Sequence, residues 1–267
     1  MSTATAPPKA RAAIRERTLR TDNWRTYPLT TLVIFTAWVT YATVRAMVGA
    51  DFYVEQYHYL TPFYSPCVNE ACGKAAEFGT FLPASTPFFI PFAALSLPFL
   101  LLFRLTCYYY RKAYYRSYWA SPPACAVREP HRSYTGERRF PLIGQNLHRY
   151  FWAVAFLISL VNTWDAIRAF HGKDGGFGIG IGTLILLANV ILLWAYTLSC
   201  HSCRHIVGGR LKNFSSRPVR YWAWMQVSKL NERHGMFALI TLGSLMTADL
   251  YVALVAHGTV SDLRIFN

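Results

Sequence analysis

Four residues able to bind metal recur in a pattern. The segment LTCYYYR at 105–111 is matched by LSCHSCR at 198–204, so that Cys107 falls opposite Cys200 and Arg111 opposite Arg204. After each cysteine and its loop, the next apolar stretch opens with a histidine beside an arginine, His148 in NLHRYFW and His234 in NERHGMF. Such self-similarity points to two related units in tandem. Two thiolates and two imidazoles are the donor set of a Rieske-type [2Fe–2S] centre, in which cysteines hold one iron and histidines the other. The same donors in a tetrahedral array suit Zn²⁺. Within LSCHSCRHIVGG, Cys203 and His205 are alternates to Cys200 and to one histidine. The plain alternative is four unrelated residues that happen to sit at the ends of apolar segments.

The elements that must position these residues are apolar and long. The chain has 267 residues, of which 53% are hydrophobic and only 15% charged, a balance foreign to an ordinary soluble domain. A membrane helix needs about 20 apolar residues, and five stretches qualify: 28–49, 86–107, 148–170, 178–200 and 235–256. Pro87, Pro91 and Pro98 should bend the second. The expected fold is therefore an all-α integral membrane protein of five transmembrane helices, four of which form a bundle core around the ligands. The spans make one transmembrane domain, 28–256, after a basic segment 1–27 and before a tail 257–267.

Net charge is +14, and its placement gives the orientation. Basic residues crowd segment 1–27 and loops 108–147 and 201–234, whereas loop 50–85 carries Lys74 against Asp51, Glu55, Glu70 and Glu77. The positive-inside rule then puts the N-terminus in the cytoplasm and the C-terminus outside. The charge reads as topology, with no nucleic-acid partner and with membrane lipid as the surroundings. The first apolar segment follows about 27 polar residues and is long enough to span, so it is expected to stay as an anchor rather than be cleaved. In this topology spans 2 and 4 run inward and spans 3 and 5 outward, which brings Cys107, His148, Cys200 and His234 to one depth at the cytoplasmic edge. Cys67 and Cys72 fall in the outer loop, where they are either a disulfide or two free thiols. Cys125 lies in a cytoplasmic loop, and 217–233 reads as an interfacial helix or a plain loop.

Two further chemistries compete. His148 with His234 and His171 with His257 suggest haem ligation, but each helix separates its two histidines by 23 residues, about 34 Å along a helix and rotated by roughly 140°. One bis-histidine haem b at His148 and His234 stays open and leaves both cysteines idle. Arg45, Trp164, Asp165, Arg168 and Asp249 lie in the outer halves of their spans, where a charge is costly unless paired. They read as a quinone or proton-handling site, or as structural Arg–Asp pairs. A rival quinone site at the cytoplasmic interface uses Tyr150, Trp152 and His234.

Taken together, LTCYYYRKAYYR, NLHRYFW, LSCHSCRH, NERHGMF and the five-span layout resemble the single-chain, cytochrome b-like membrane anchor of succinate:quinone oxidoreductases, in particular that of actinobacterial succinate dehydrogenases. The resemblance implies a multi-pass subunit in the cell (plasma) membrane, partnered by a flavoprotein and an iron–sulfur subunit and passing electrons to quinone. No dinucleotide fingerprint or ferredoxin cysteine run is present in the sequence, consistent with the anchor alone. Five-span anchors of this kind usually carry two haems b. Here the histidines are spaced wrongly for a stacked pair and cysteines occupy matching positions, which favours the [2Fe–2S] centre. The function class furthest from this is a transporter or channel with a proton path along Arg45, Asp165 and Asp249 and no redox centre.

Overall fold

A computed structural model describes residues 23, 25–85, 95–110, 138 and 143–267. Most of the basic N-terminal segment, the first half of the second span with Pro87 and Pro91, and most of loop 108–147 with Cys125 and Arg111 lie outside the described residues.

Seven helices are named here in chain order. They are α1 Thr26–Val48, α2 Ser96–Thr106, α3 Ile143–Arg168, α4 Ile181–Ser199, α5 His201–Gly208, α6 Pro218–Glu232 and α7 His234–Ala256. Four of them, α1, α3, α4 and α7, are long and apolar enough to cross a membrane. The helix α2, in the described part of the expected second span, is apolar and 11 residues long.

Each long helix buries one stripe and turns the rest outward. On α3 that stripe is His148, Trp152, Ala155, Ile158, Ser159, Asn162, Asp165 and Ala166, which follows the helical repeat. Helix α3 packs between α2 and α4, α4 packs on α7, and α1 lies against the outside of α7. The remaining edge of the bundle is bridged by side chains. Arg104 on α2 donates to the Ala238 carbonyl (3.1 Å) and to Thr241 Oγ1 (3.1 Å) on α7. The four-helix core of α2, α3, α4 and α7 is the one expected from the sequence.

The end of the bundle away from the ligands is more structured than a loop and a tail. Residues 50–85 hold a hairpin, β1 Tyr53–Val54 against β2 Tyr59–Leu60, three 3₁₀ turns and a Cys67–Cys72 disulfide. Tyr59, Phe63 and Tyr64 are wholly buried, so this segment plugs the bundle with its aromatic side chains. Tyr64 also closes the end of α1: its hydroxyl donates to the Arg45 carbonyl (2.5 Å) and accepts from Gly49 N–H (3.1 Å). Gly49, at φ 63°, takes the left-handed conformation that ends the helix.

The expected tail 257–267 is instead part of a second sheet, β3 Ile179–Gly180 paired antiparallel with β4 Arg264–Phe266. Asp262 locks it, accepting from Tyr251 Oη (2.7 Å), Tyr59 Oη (2.9 Å), Gly182 N–H (2.9 Å) and Arg264 (3.2 Å). The tail therefore ties the N-terminus of α4 to the aromatic plug. Tyr59 lies so close to Gly182 that a Cβ there would run into its ring.

Arg45 and Asp249 join α1 to α7. Asp249 is fully buried and accepts from Arg45 Nε (2.7 Å) and Tyr41 Oη (2.6 Å). Removing one partner of a buried pair leaves the other uncompensated, so Asp249→Ala should cost about 3–5 kcal/mol in detergent unfolding. The exposed Lys74–Glu55 pair should be worth less than about 1 kcal/mol in the same assay. Equal losses would remove the basis for treating Asp249 as the tether of α1.

Candidate metal centre

The four repeated residues meet inside one end of the bundle, each from a different helix. Cys107 and Cys200 occupy matching places: each follows the last residue of its helix, with φ and ψ of −65° and 131° at Cys107 and −63° and 141° at Cys200. The helix thus breaks at the cysteine. Helical backbone then resumes at 108–110 and in α5.

A broken helix leaves carbonyls to be satisfied, and the chain meets this need the same way twice. Gln145 Nε2 donates to the Thr106 carbonyl (3.1 Å), and Asn231 Nδ2 donates to the Ser199 carbonyl (2.7 Å). Each amide lies three residues before a histidine of the repeat, Gln145 before His148 and Asn231 before His234. Trp152 Nε1 additionally donates to the Thr197 carbonyl (2.9 Å).

The histidines are held by the residue just before each cysteine. Thr106 Oγ1 lies 2.9 Å from His148 Nδ1, and Ser199 Oγ lies 2.8 Å from His234 Nδ1. Both hydroxyls already donate their one proton to a backbone carbonyl, Thr106 to Leu102 (2.7 Å) and Ser199 to Tyr196 (2.9 Å). They must therefore accept from the imidazoles, which fixes the proton on Nδ1 and leaves a lone pair on Nε2. The rings are also stacked from one side, His148 on Phe103 (5.0 Å) and His234 on Tyr196 (5.0 Å), the residues four before each cysteine.

Each Nε2 then faces the cysteine of the other unit. His148 Nε2 is 3.1 Å from Cys200 Sγ, and His234 Nε2 is 3.5 Å from Cys107 Sγ. The two repeats interlock: each positions its own histidine and presents it to the other's sulfur. Cys107 and Cys200 are 1% and 0% exposed and His148 is 1% exposed, so the donors form a set shielded from water.

The alternates are placed differently. Cys203 is buried one turn beyond Cys200, and His205 is exposed. His201 stacks on His148 (5.3 Å), and its ring joins His148 and Cys200 in a group whose ligand atoms lie within 4.8 Å of one another. Arg204, the repeat partner of Arg111, donates to Ser228 (2.9 Å) and lies over Trp224 (5.1 Å), where it joins α5 to α6.

The residues read as a quinone or proton site in the outer halves of the spans do not converge. Arg45 pairs with Asp249, Asp165 bonds Ser65, and Trp164 (2.8 Å) and Arg168 (3.1 Å) both reach Glu77 in the plug. Arg168 and Tyr53 also bond His58 Nδ1 (3.2 and 2.9 Å), and burial together with the Arg168 charge holds the His58 imidazole below its ordinary range. In the rival set, Tyr150 is exposed under Arg149 (5.3 Å), Trp152 supports the helix break, and His234 faces Cys107. His171 and His257 face other partners, His58 (4.4 Å between ring centroids) and Asp51 (3.4 Å) respectively.

Cysteines, histidines and arginines define the repeat, but their supports carry a signal too. Extending the repeat upstream exposes them: FRLTC at 103–107 against YTLSC at 196–200, with an aromatic residue at the first position and a hydroxyl at the fourth. Arg104, a single charge in the apolar run LPFLLLFRLT, also carried a signal of its own.

The family described as actinobacterial succinate dehydrogenase subunit SdhC matches residues 26–258. Among solved structures, a chain of the Mycobacterium smegmatis Sdh1 complex in the apo form is 64% identical, with a TM-score of 0.86 over 97% of this chain and 98% of that one. No curated protein matches.

The burial of the sulfurs has a direct check. In native protein in detergent, Cys107 and Cys200 should escape a water-soluble maleimide and take it up in full after denaturation, with mass mapping of labelled peptides as the readout. Rapid native labelling of either would mean that the bundle end is open.

Proposed function

The chain belongs to the actinobacterial succinate dehydrogenase SdhC family, and from that premise we propose that Cys107, Cys200, His148 and His234 hold a Rieske-type [2Fe–2S] centre on the electron route to quinone. As a membrane-anchor subunit it is a non-catalytic part of the oxidoreductase. The finer reading is that a flavoprotein and an iron–sulfur subunit dock on its basic cytoplasmic face in the plasma membrane, and that the chain has five spans with the N-terminus inside.

One observation carries the centre: two thiols and two Nε2 lone pairs converge from four helices, with each imidazole oriented by a hydroxyl that can only accept. The donor chemistry fits the group. The fully buried Tyr196 hydroxyl interacts with the Cys107 thiol, one of the four proposed ligands. When bound, such a centre supplies one-electron transfer at a potential raised by its imidazole ligands.

The chain's own residues do the rest. Thr106 and Ser199 fix the histidine tautomers, Phe103 and Tyr196 fix the ring planes, and Gln145 and Asn231 hold the helix breaks that aim the sulfurs. The bundle keeps water out, which strengthens every charge interaction inside.

The test is spectroscopic. The purified complex should contain iron and acid-labile sulfide assignable to this subunit and show a Rieske-type paramagnetic signal when reduced. Cys107→Ser or Cys200→Ser should abolish that signal, and Cys203→Ser should leave it. Loss with Cys203→Ser alone would overturn the ligand set. A haem band that needs His148 and His234 but survives both Cys→Ser changes would establish haem b instead, and zinc without iron or sulfide would reduce the site to a structural metal.

A further inference from the structure

The two halves of the centre match at most of their supporting positions. Phe103 answers Tyr196, Thr106 answers Ser199, Cys107 answers Cys200, Gln145 answers Asn231 and His148 answers His234, whereas Arg104 stands opposite Thr197. Arg104 is 2% exposed, deep in the bundle.

Among the described residues no carboxylate pairs with it. Its hydrogen bonds go to Tyr110 Oη (2.8 Å), the Ala238 carbonyl (3.1 Å) and Thr241 Oγ1 (3.1 Å), all neutral. Its guanidinium lies over three aromatic rings, those of Tyr196 (4.8 Å), Trp38 (5.3 Å) and Tyr110 (5.8 Å). Two arginines at the opposite end of the bundle do have carboxylate partners: Arg45 meets Asp249 and Arg264 meets Asp262. A cation kept in a membrane bundle without a counter-ion is costly, and polar groups retained there are functional by default.

Its place in the fold says what it serves. The Tyr196 ring under the guanidinium is the same ring that stacks on His234, and His234 Nε2 is 3.5 Å from Cys107 Sγ. The Arg104 carbonyl also accepts from Cys107 N–H (3.1 Å). The charge thus stands one aromatic ring away from the ligand set.

We infer that Arg104 is the counter-charge of the centre, a positioning residue that stabilises its one-electron-reduced state and so sets how readily it takes an electron. The inference rests on the [2Fe–2S] reading of the four ligands. Two ferric ions, two sulfides and two thiolates with neutral imidazoles carry no net charge, and one added electron leaves a single negative charge. A fixed cation nearby in a dry interior acts on the second state and hardly on the first. Arg104 therefore raises the potential, in the direction needed to accept electrons from a donor as mild as succinate.

The test is a potentiometric titration of the whole complex followed by the paramagnetic signal. Arg104→Gln should shift the one-electron equilibrium at least tenfold toward the oxidised form, a fall of about 59 mV in midpoint. Arg104→Lys should retain more than half of the wild-type advantage. Thr241→Asp keeps the arginine and its tether to α7 but gives it a carboxylate, and should lower the midpoint at least threefold on the same scale; it decides the matter should Arg104→Gln not assemble. A purely mechanical bridge between α2 and α7 predicts lost signal intensity at an unchanged midpoint, and an unchanged midpoint in Arg104→Gln or Thr241→Asp overturns the inference. Absence of a [2Fe–2S] signal from the unaltered complex would instead overturn the cluster reading beneath it.

Discussion

A peptide group released from its helix inside a membrane bundle has no water to turn to, and its carbonyl must find a donor from the protein or the break does not survive. This chain makes such a break at Cys107 and again at Cys200, and Gln145 and Asn231 answer the two exposed carbonyls. A buried carbonyl left alone costs on the order of 1–3 kcal/mol. The extended ψ at each cysteine takes its side chain out of the helical stripe, and the hydroxyl one residue earlier remains in place for an imidazole. Sulfur direction, histidine tautomer and ring plane all depend on that arrangement.

Because each histidine is oriented by one hairpin and faces the sulfur of the other, neither hairpin contains a site by itself. The four side chains meet only when α2–α3 and α4–α7 are packed, so their geometry inherits the rigidity of the bundle. That rigidity is secured at the opposite end. The aromatic plug, the Asp262 clasp and the Arg45–Asp249 pair fix the helices relative to one another far from the ligands. Polar residues at the plug end of the bundle thereby acquire a structural role: Trp164 and Arg168 hold the plug through Glu77, and Asp165 holds it through Ser65.

What the sequence disclosed follows the physics of each signal. Span positions were legible because membrane thickness sets a length, and the starts of α1, α4 and α7 fall within three residues of those read from hydropathy. The meeting of Cys107, His148, Cys200 and His234 was legible because cysteine and histidine are rare and the repeat set their order. Depth could be read in this way, but direction around the helix could not. Trp164, Asp165 and Arg168 share a depth, yet neighbouring residues diverge by about 100°, and the structure sends Asp165 inward and Trp164 to the exposed face. Tyr150 points away from His148 for the same reason, since two residues of helix turn it by roughly 200°. Loop 50–85 and the tail escaped because their order comes from tertiary contacts of Tyr59, Tyr64 and Asp262 that no local periodicity announces. Arg104 was written plainly in the sequence, but a repeat built on cysteines gives weight to what matches, and Arg104 falls opposite Thr197.

That mismatch bears on how a near-symmetric site can serve a directional process. Paired thiol and imidazole donors on equivalent helix ends make two halves that are chemically alike, and likeness by itself gives an added electron no preferred side. A single fixed charge beside one half changes this without touching any ligand. Arg104 is solvated by Tyr110, Thr241, a backbone carbonyl and the faces of three rings, a shell that holds a cation but cannot neutralise it. A carboxylate in that shell would have made the arginine cheaper to bury and would have cancelled its field at the centre. Stability alone favours the pair, as at Arg45 and Arg264. With no carboxylate beside it among the described residues, Arg104 is thus in the arrangement in which the cost of burial is borne so that the field persists at the ligands.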